Sequence, residues 1–132
     1  MLGDKALLCK AIEAQQRVYA PYSNFPVSAA LLTKSGRVFC GVNVENVSYG
    51  LSVCAERTAI FSAIIAGERD FVKLAIVCNC ESGCLPCGAC RQVIAEFAPS
   101  LPLLLGTVQG DCRTVSLSTL LPQPFLPDHL PE

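Results

Sequence analysis

Three cysteines and a glutamate stand at spacings that can do metal chemistry: Cys54 with Glu56 two residues on, and the run Cys87-Gly88-Ala89-Cys90. A two-residue gap lets both sulfurs of a CxxC pair reach one metal ion, because the chain turns into a helix between them. The same gap also serves a thioredoxin-like redox pair or two buried thiols. Cys54 offers a third ligand, since it opens one expected helix as Cys87 opens another. Two such helix starts at one end of a sheet bring three thiols together where open α/β folds place their chemistry. Three thiolates around zinc leave the fourth tetrahedral position for water, the arrangement of a catalytic site; a closed structural site of four cysteines, Cys84 among them, is the alternative. Arg57, one turn from Cys54, can aim its guanidinium at a ligand sulfur as an outer hydrogen-bond donor, or it can be an ordinary solvated arginine. Glu56 falls in the first turn of an apolar helix, where a buried carboxylate is costly unless paired or used. Beside an activated water it can carry protons; its plainer role is that of an acid favoured by the helix dipole.

Composition narrows what such a site can serve. The 132 residues are 52% hydrophobic and 16% charged, which suits a single domain spanning 1–132. Ten Lys plus Arg against eleven Asp plus Glu give a net charge of -1, so no broad cationic field exists to collect a polynucleotide or an anionic membrane. The mean hydropathy of +0.45 is high, yet the apolar runs fall short of the roughly 20 residues that span a bilayer, and the surplus is assigned to a core and a subunit interface. Asp4, Lys5, Lys10 and Glu13 interrupt the N-terminal stretch where a signal peptide would be cleanly apolar, which points to a cytoplasmic protein. Nine cysteines in a reducing compartment read as metal ligands or small hydrophobes in preference to disulfides. The one histidine, His129, lies in a proline-rich tail, so neither a Ser-His-Asp triad nor an all-histidine metal site is expected.

The elements that must position these residues follow from periodicity and breakers. Residues 5–19 place Leu8, Ala11, Ile12 and Val18 on one helical face, with Asp4 as cap. Residues 27–33 and 37–41 read as a hairpin. An apolar helix over 54–66 is stopped by Gly67, the uninterrupted run 74–79 reads as a central strand, and a helix covers 88–97. A second hairpin over 102–108 and 112–117, a short helix at 117–121 and an irregular tail from 122 complete the chain. The order α β β α β α β β predicts an α/β fold: a three-layer α/β/α sandwich around a five-stranded mixed sheet, its last two strands antiparallel.

Cys54-Ala55-Glu56-Arg57 followed by Pro86-Cys87-Gly88-Ala89-Cys90-Arg91-Gln92 matches the C-x-E … P-C-x-x-C signature of zinc-dependent nucleoside and nucleobase deaminases. With PYSNFPV at 21–27, GVNVEN at 41–46, and LLP and Phe125 near the end, nearly the whole chain resembles the small homotetrameric zinc-dependent cytidine deaminase family. The resemblance implies one zinc per subunit on Cys54, Cys87 and Cys90, with Glu56 as proton shuttle and Arg57 behind the thiolates. It implies that the backbone at Ala55 meets the pyrimidine edge, Phe25 packs on the base, and Asn43 and Glu45 hold the ribose, notably its 3'-hydroxyl. Tyr49 and Phe125 correspond to positions that lean into a neighbouring subunit's pocket, giving a homotetramer with shared sites. The implied reaction is hydrolytic deamination of free cytidine and 2'-deoxycytidine to uridine and 2'-deoxyuridine, with release of ammonia, as in pyrimidine salvage. A nucleotide fits less well, because no Lys/Arg cluster or glycine-rich loop awaits a 5'-phosphate, and Glu45 argues against blasticidin-type relatives. Ser28, where the family usually has glycine, and Gln123-Pro124 before Phe125 depart from the pattern; they are expected to tune affinity or packing near the pocket.

Overall fold

Strands whose alternate residues are apolar on both faces have to lie at the centre of a covered sheet. In the computed structural model, which describes residues 1–131, β1 (Val27–Thr33) and β3 (Phe71–Cys78) take that place. The sheet order is β2-β1-β3-β4-β5, with β2 spanning Val38–Val42, β4 Pro102–Thr107 and β5 Cys112–Ser116. Only the β3/β4 pair is parallel, and β4/β5 is an antiparallel hairpin, so the mixed five-stranded sheet expected from the element order is the one formed. Helix α1 (Asp4–Ala14) covers one face, packing Leu7, Leu8 and Ala11 on Ala30, Leu32, Ala75, Val77 and Leu104. Helices α2 (Ala55–Ile65) and α3 (Gly88–Phe97) cover the other, setting Ala59, Ile60, Ala63, Ile94 and Ala95 against Ala29, Leu31, Leu74, Ile76, Leu103 and Leu105. A one-turn helix, α4 (Leu117–Leu120), follows β5 and buries Leu117.

Two details of the first helix differ from expectation. Its N-cap is Gly3, with Asp4 already inside the first turn. It ends at Ala14, tightens into a 3-10 turn over Gln15–Arg17, and releases Val18 into extended backbone. The cause is tertiary: the Gln15 amide donates to the Val77 carbonyl at 3.0 Å and to Ser28 Oγ at 3.1 Å, pulling this turn onto the sheet. The irregular tail contains one 3-10 turn, Pro127–His129.

The start of α2 is pinned where it matters for the thiols. Thr58 Oγ1 accepts the Val42 N–H at 2.9 Å and lies 2.9 Å from the carbonyls of Val42 and Ala55, tying the first turn of α2 to the end of β2. Gly41 lets the two backbones touch: a Cβ there would stand 2.3 Å from the Ala55 carbonyl oxygen and 2.4 Å from the Ala59 nitrogen. Neither backbone atom can step aside without moving the helix that carries Glu56. Gly41→Ala is therefore expected to destabilise the fold by about 1–3 kcal/mol or more, and to weaken metal retention in the same preparation. Denaturant melts and metal content, each against wild type, measure the two effects. At its far end α2 closes with Gly67 at φ 91°, whose N–H and that of Glu68 bond the carbonyls of Ile64 and Ala63.

Candidate active site

Two helix starts face each other at one end of the sheet. Cys54 is the N-cap of α2 and Cys87 the N-cap of α3, with Cys90 in the first turn of α3. Cys54 Sγ lies 3.7 Å from Cys87 Sγ, which lies 3.4 Å from Cys90 Sγ, and all three sulfurs fall within 4.8 Å of one another. Zinc–sulfur bonds of about 2.3 Å in tetrahedral geometry place ligand sulfurs about 3.8 Å apart, so the spacing fits a single zinc ion. The donor set fits as well. The Cys90 N–H donates to Cys87 Sγ at 3.5 Å, and Arg57 Nη2 donates to Cys54 Sγ at 3.4 Å. These donors stabilise thiolate, the form a metal needs. Hydrogen bonding from the Cys90 thiol, joined by Arg57 and Cys87, draws the Cys54 thiol down to about 5 against its burial. Cys90 is pushed up in return by the Cys54 sulfur it serves and by burial. The start of α3 is held in turn by Arg91, which donates from Nε to the Pro86 carbonyl at 2.8 Å and from Nη1 to the Leu120 carbonyl at 3.0 Å.

Glu56 is only 4% exposed. Burial, with the Cys54 charge adding to it, pushes its carboxyl up to about 6, against the opposing pull of its own backbone N–H, Cys90 and Arg57. It opens onto a cavity of about 260 Å³ whose wall includes Phe25, Asn43, Glu45, Cys54, Ala55 and Cys87, all expected there from sequence. Ser23, Val27, Ile76, Cys84 and Leu85 complete the wall and were not foreseen. Cys84 stands outside the group of three sulfurs, and burial, foremost, pushes its thiol up to about 12. Its place outside the three metal-spaced sulfurs disfavours the four-cysteine alternative.

The polar end of the cavity is built by backbone pairing. Tyr19 N–H donates to the Asn43 carbonyl and Glu45 N–H to the Tyr19 carbonyl, while Val44 and Val53 exchange two hydrogen bonds that close the loop between them. The Asn43 side chain accepts the Val27 N–H and donates to the Phe25 carbonyl, both at 3.0 Å, and so sets the segment carrying Phe25. Glu45 Oε1 accepts the N–H groups of Tyr22 at 3.0 Å and Ser23 at 3.1 Å, and Oε2 accepts the Ser23 hydroxyl. The Ser23 hydrogen bonds, side chain first, hold the Glu45 carboxyl below its ordinary value. A group with a depressed folded-state pKa adds stability at pH above its unfolded value, and that stability disappears as pH falls through the folded value. Wild type should therefore outlast Glu45→Gln in denaturant at pH 7, and the gap should narrow as the pH is lowered and the carboxylate is protonated.

Three other residues sit away from this cavity. Tyr49, 74% exposed, lines an adjoining hollow of about 230 Å³ with Tyr22, Ser23, Glu45 and Ser52. Phe125, 57% exposed, lies on the surface, with its backbone held both ways by the Gln92 amide and its ring stacked on His129 at 5.8 Å. Ser28 turns away from the pocket: its hydroxyl donates to the Ala11 carbonyl at 2.5 Å, on the α1 side of the sheet. It shapes packing, one of the two effects expected of it, and does not line the pocket.

The comparisons with known proteins agree with this geometry. A family model described as the cytidine and deoxycytidylate deaminase zinc-binding region matches residues 1–101. The chain is 50% identical over 124 residues to a cytidine deaminase of Halalkalibacterium halodurans, covering 92% of this chain and 94% of that one. It superposes on the crystal structure of a cytidine deaminase from Burkholderia pseudomallei with a TM-score of 0.90 at 50% identity, covering 94% and 100% of the two chains. The enzyme of that name from Mycobacterium tuberculosis gives 0.81 at 40% identity, covering 95% and 98%. With three thiols at zinc-ligand spacing beside a buried glutamate, the chain belongs to the zinc-dependent cytidine and deoxycytidylate deaminase family.

Proposed function

We propose that the protein is a cytidine deaminase that hydrolyses free cytidine and 2'-deoxycytidine to the uracil nucleosides and ammonia. The observation that carries this reading is the buried Glu56 on the wall that also presents Cys54 and Cys87 to a nucleoside-sized cavity. One zinc per chain on Cys54, Cys87 and Cys90 supplies Lewis acidity, which makes a water acidic enough to serve as nucleophile near neutral pH. The chain's own groups do the rest. Glu56 takes one proton from the water and delivers it to N3 of the pyrimidine, then takes the second from the hydroxyl newly added at C4 and delivers it to the departing amine, which leaves as ammonia. Arg57 and the helix N-termini withdraw charge from the thiolates, which keeps three anionic ligands from quenching the acidity of the metal. Phe25 and Val27 offer apolar surface to the base, the Ala55 backbone meets its polar edge, and Asn43 and Glu45 satisfy sugar hydroxyls that enclosure strips of water.

The volume of about 260 Å³ lies just under the range of pockets for drug-sized ligands, which favours a single nucleoside over a polynucleotide. Exposed Tyr49 and Phe125 favour a homotetramer in which each supplies a wall to a neighbour's cavity, and Val47, Leu51, Phe61 and Ile65 give an apolar surface for that contact. Residues 1–132 would form one catalytic domain per subunit, working in the reducing cytoplasm. Among the described residues no helix is long and apolar enough to cross a membrane.

The direct test follows the ultraviolet change that accompanies loss of the 4-amino group. Zinc-replete, folded protein should turn over both nucleosides; inertness on both would reject the reading. Single-stranded RNA or DNA as the only good substrate would put a polynucleotide editor in its place. A native mass of about four chains is expected by sedimentation, and a monomer with full activity would exclude shared sites.

A further inference from the structure

Ser23 and Glu45 are the two residues common to the walls of the thiol cavity and of the adjoining hollow. They form the ridge between them. Successive N–H groups of Tyr22 and Ser23 converge on the Glu45 carboxylate, and Asn24, at φ 54° in the left-handed region, turns the chain so that the Phe25 N–H comes back to the Ser23 hydroxyl. The Ser23 hydroxyl has a fixed direction here. It accepts the Phe25 N–H at 3.0 Å, and a carboxylate can only accept, so its single hydrogen goes to Glu45 Oε2.

A carboxylate offers about four lone-pair directions. Two on Oε1 and one on Oε2 are taken by the chain, which leaves one acceptor, on Oε2. We propose that Ser23 is a positioning residue that fixes Glu45 as a single-acceptor reader, so that the site recognises one free hydroxyl on the substrate sugar. The inference rests on the reading of Glu45 as the sugar-binding acid. A lone acceptor of this kind requires a donor opposite it. A sugar oxygen that is esterified, or absent, leaves the remaining acceptor unmatched, and a phosphate on that oxygen adds repulsion between anions. Internal residues of a polynucleotide are thereby turned away by chemistry, in addition to size.

The test compares cytidine with 3'-deoxycytidine, on the zinc-loaded full chain, in wild type and Ser23→Ala. Wild type should prefer cytidine by about a hundredfold in kcat/KM, the scale for losing a hydrogen bond to a charged group. Equal use of the two substrates by wild type would remove the sugar-reading role of Glu45 itself. Given that preference, Ser23→Ala should raise KM for cytidine about tenfold with kcat within about twofold, and shrink the preference by the same factor, while 3'-deoxycytidine kinetics stay near wild type. A merely structural serine would impair both substrates equally or lower zinc content, and either result overturns the proposal. So would a Ser23→Ala enzyme that keeps the full hundredfold preference.

Discussion

Glu56→Gln should retain zinc and bind nucleoside while losing at least about 10³–10⁴ in kcat. One positioned proton carrier contributes about 10²–10⁴, and here the same carboxyl serves the water, the ring nitrogen and the leaving amine, so the loss belongs at the upper end. The amide is nearly isosteric with the acid, so a residue that is 4% exposed can be changed without opening a cavity. No other group on the wall can replace it. The Cys84 thiol, raised to about 12, holds its proton too tightly. Glu45 already accepts three hydrogen bonds from Tyr22 and Ser23, which hold its carboxylate in place. The measurement is single-turnover and steady-state kinetics beside metal content for wild type and variant. A zinc-replete glutamine variant within tenfold of wild type would require another proton carrier.

The thiol site was legible in sequence because its information is local. Cys54 and Glu56 share one helix start, Cys87 and Cys90 another, and each spacing fixes its own geometry. That both starts meet depended on β1 and β3 being central. The double-faced apolar pattern of β3 showed its half of that, whereas β1 reads in sequence only as one arm of a hairpin and takes its central place by pairing with both β2 and β3. The same pattern hid which face each residue takes. With apolar neighbours on both sides, nothing in VSAALLT says that Val27 enters the pocket while Ser28 faces α1; the hydrogen bonds to Ala11 and Gln15 decide it. The end of α1 was misplaced for a related reason, since Gln15 answers to Val77, 62 residues away. The Glu45 clasp was invisible because its donors, Tyr22 and Ser23, lie 23 and 22 residues away, a pairing that only the folded chain sets. Tyr49 and Phe125 reach no catalytic wall within one chain, so composition could show only that apolar surface was in excess.

The second large effect concerns Cys87. Cys87→Ala should lose the zinc, falling from one per chain to below about 0.1 after dialysis against weak chelator, with activity falling by at least about 10³. Disturbing residues behind the ligands costs metal sites about 10–100-fold in affinity, and removing one of only three ligands must cost more. Cys87 is exposed, so the truncation leaves no void in the core. It removes the sulfur that accepts the Cys90 N–H at the α3 N-cap, a loss of about 1 kcal/mol, which circular dichroism and a melt will register as a folded, slightly weaker protein. Cys84→Ser supplies the contrast. That residue shares the cavity but lies outside the sulfur cluster, so its serine variant should keep one zinc and most of the activity. Zinc lost from Cys84→Ser, or kept by Cys87→Ala, would turn the site into a closed four-cysteine structural centre. Chelation of wild type should reproduce the Cys87→Ala loss and added zinc should reverse it, because the ligands and Glu56 sit on helix starts that Thr58 and Arg91 hold in place through their own hydrogen bonds.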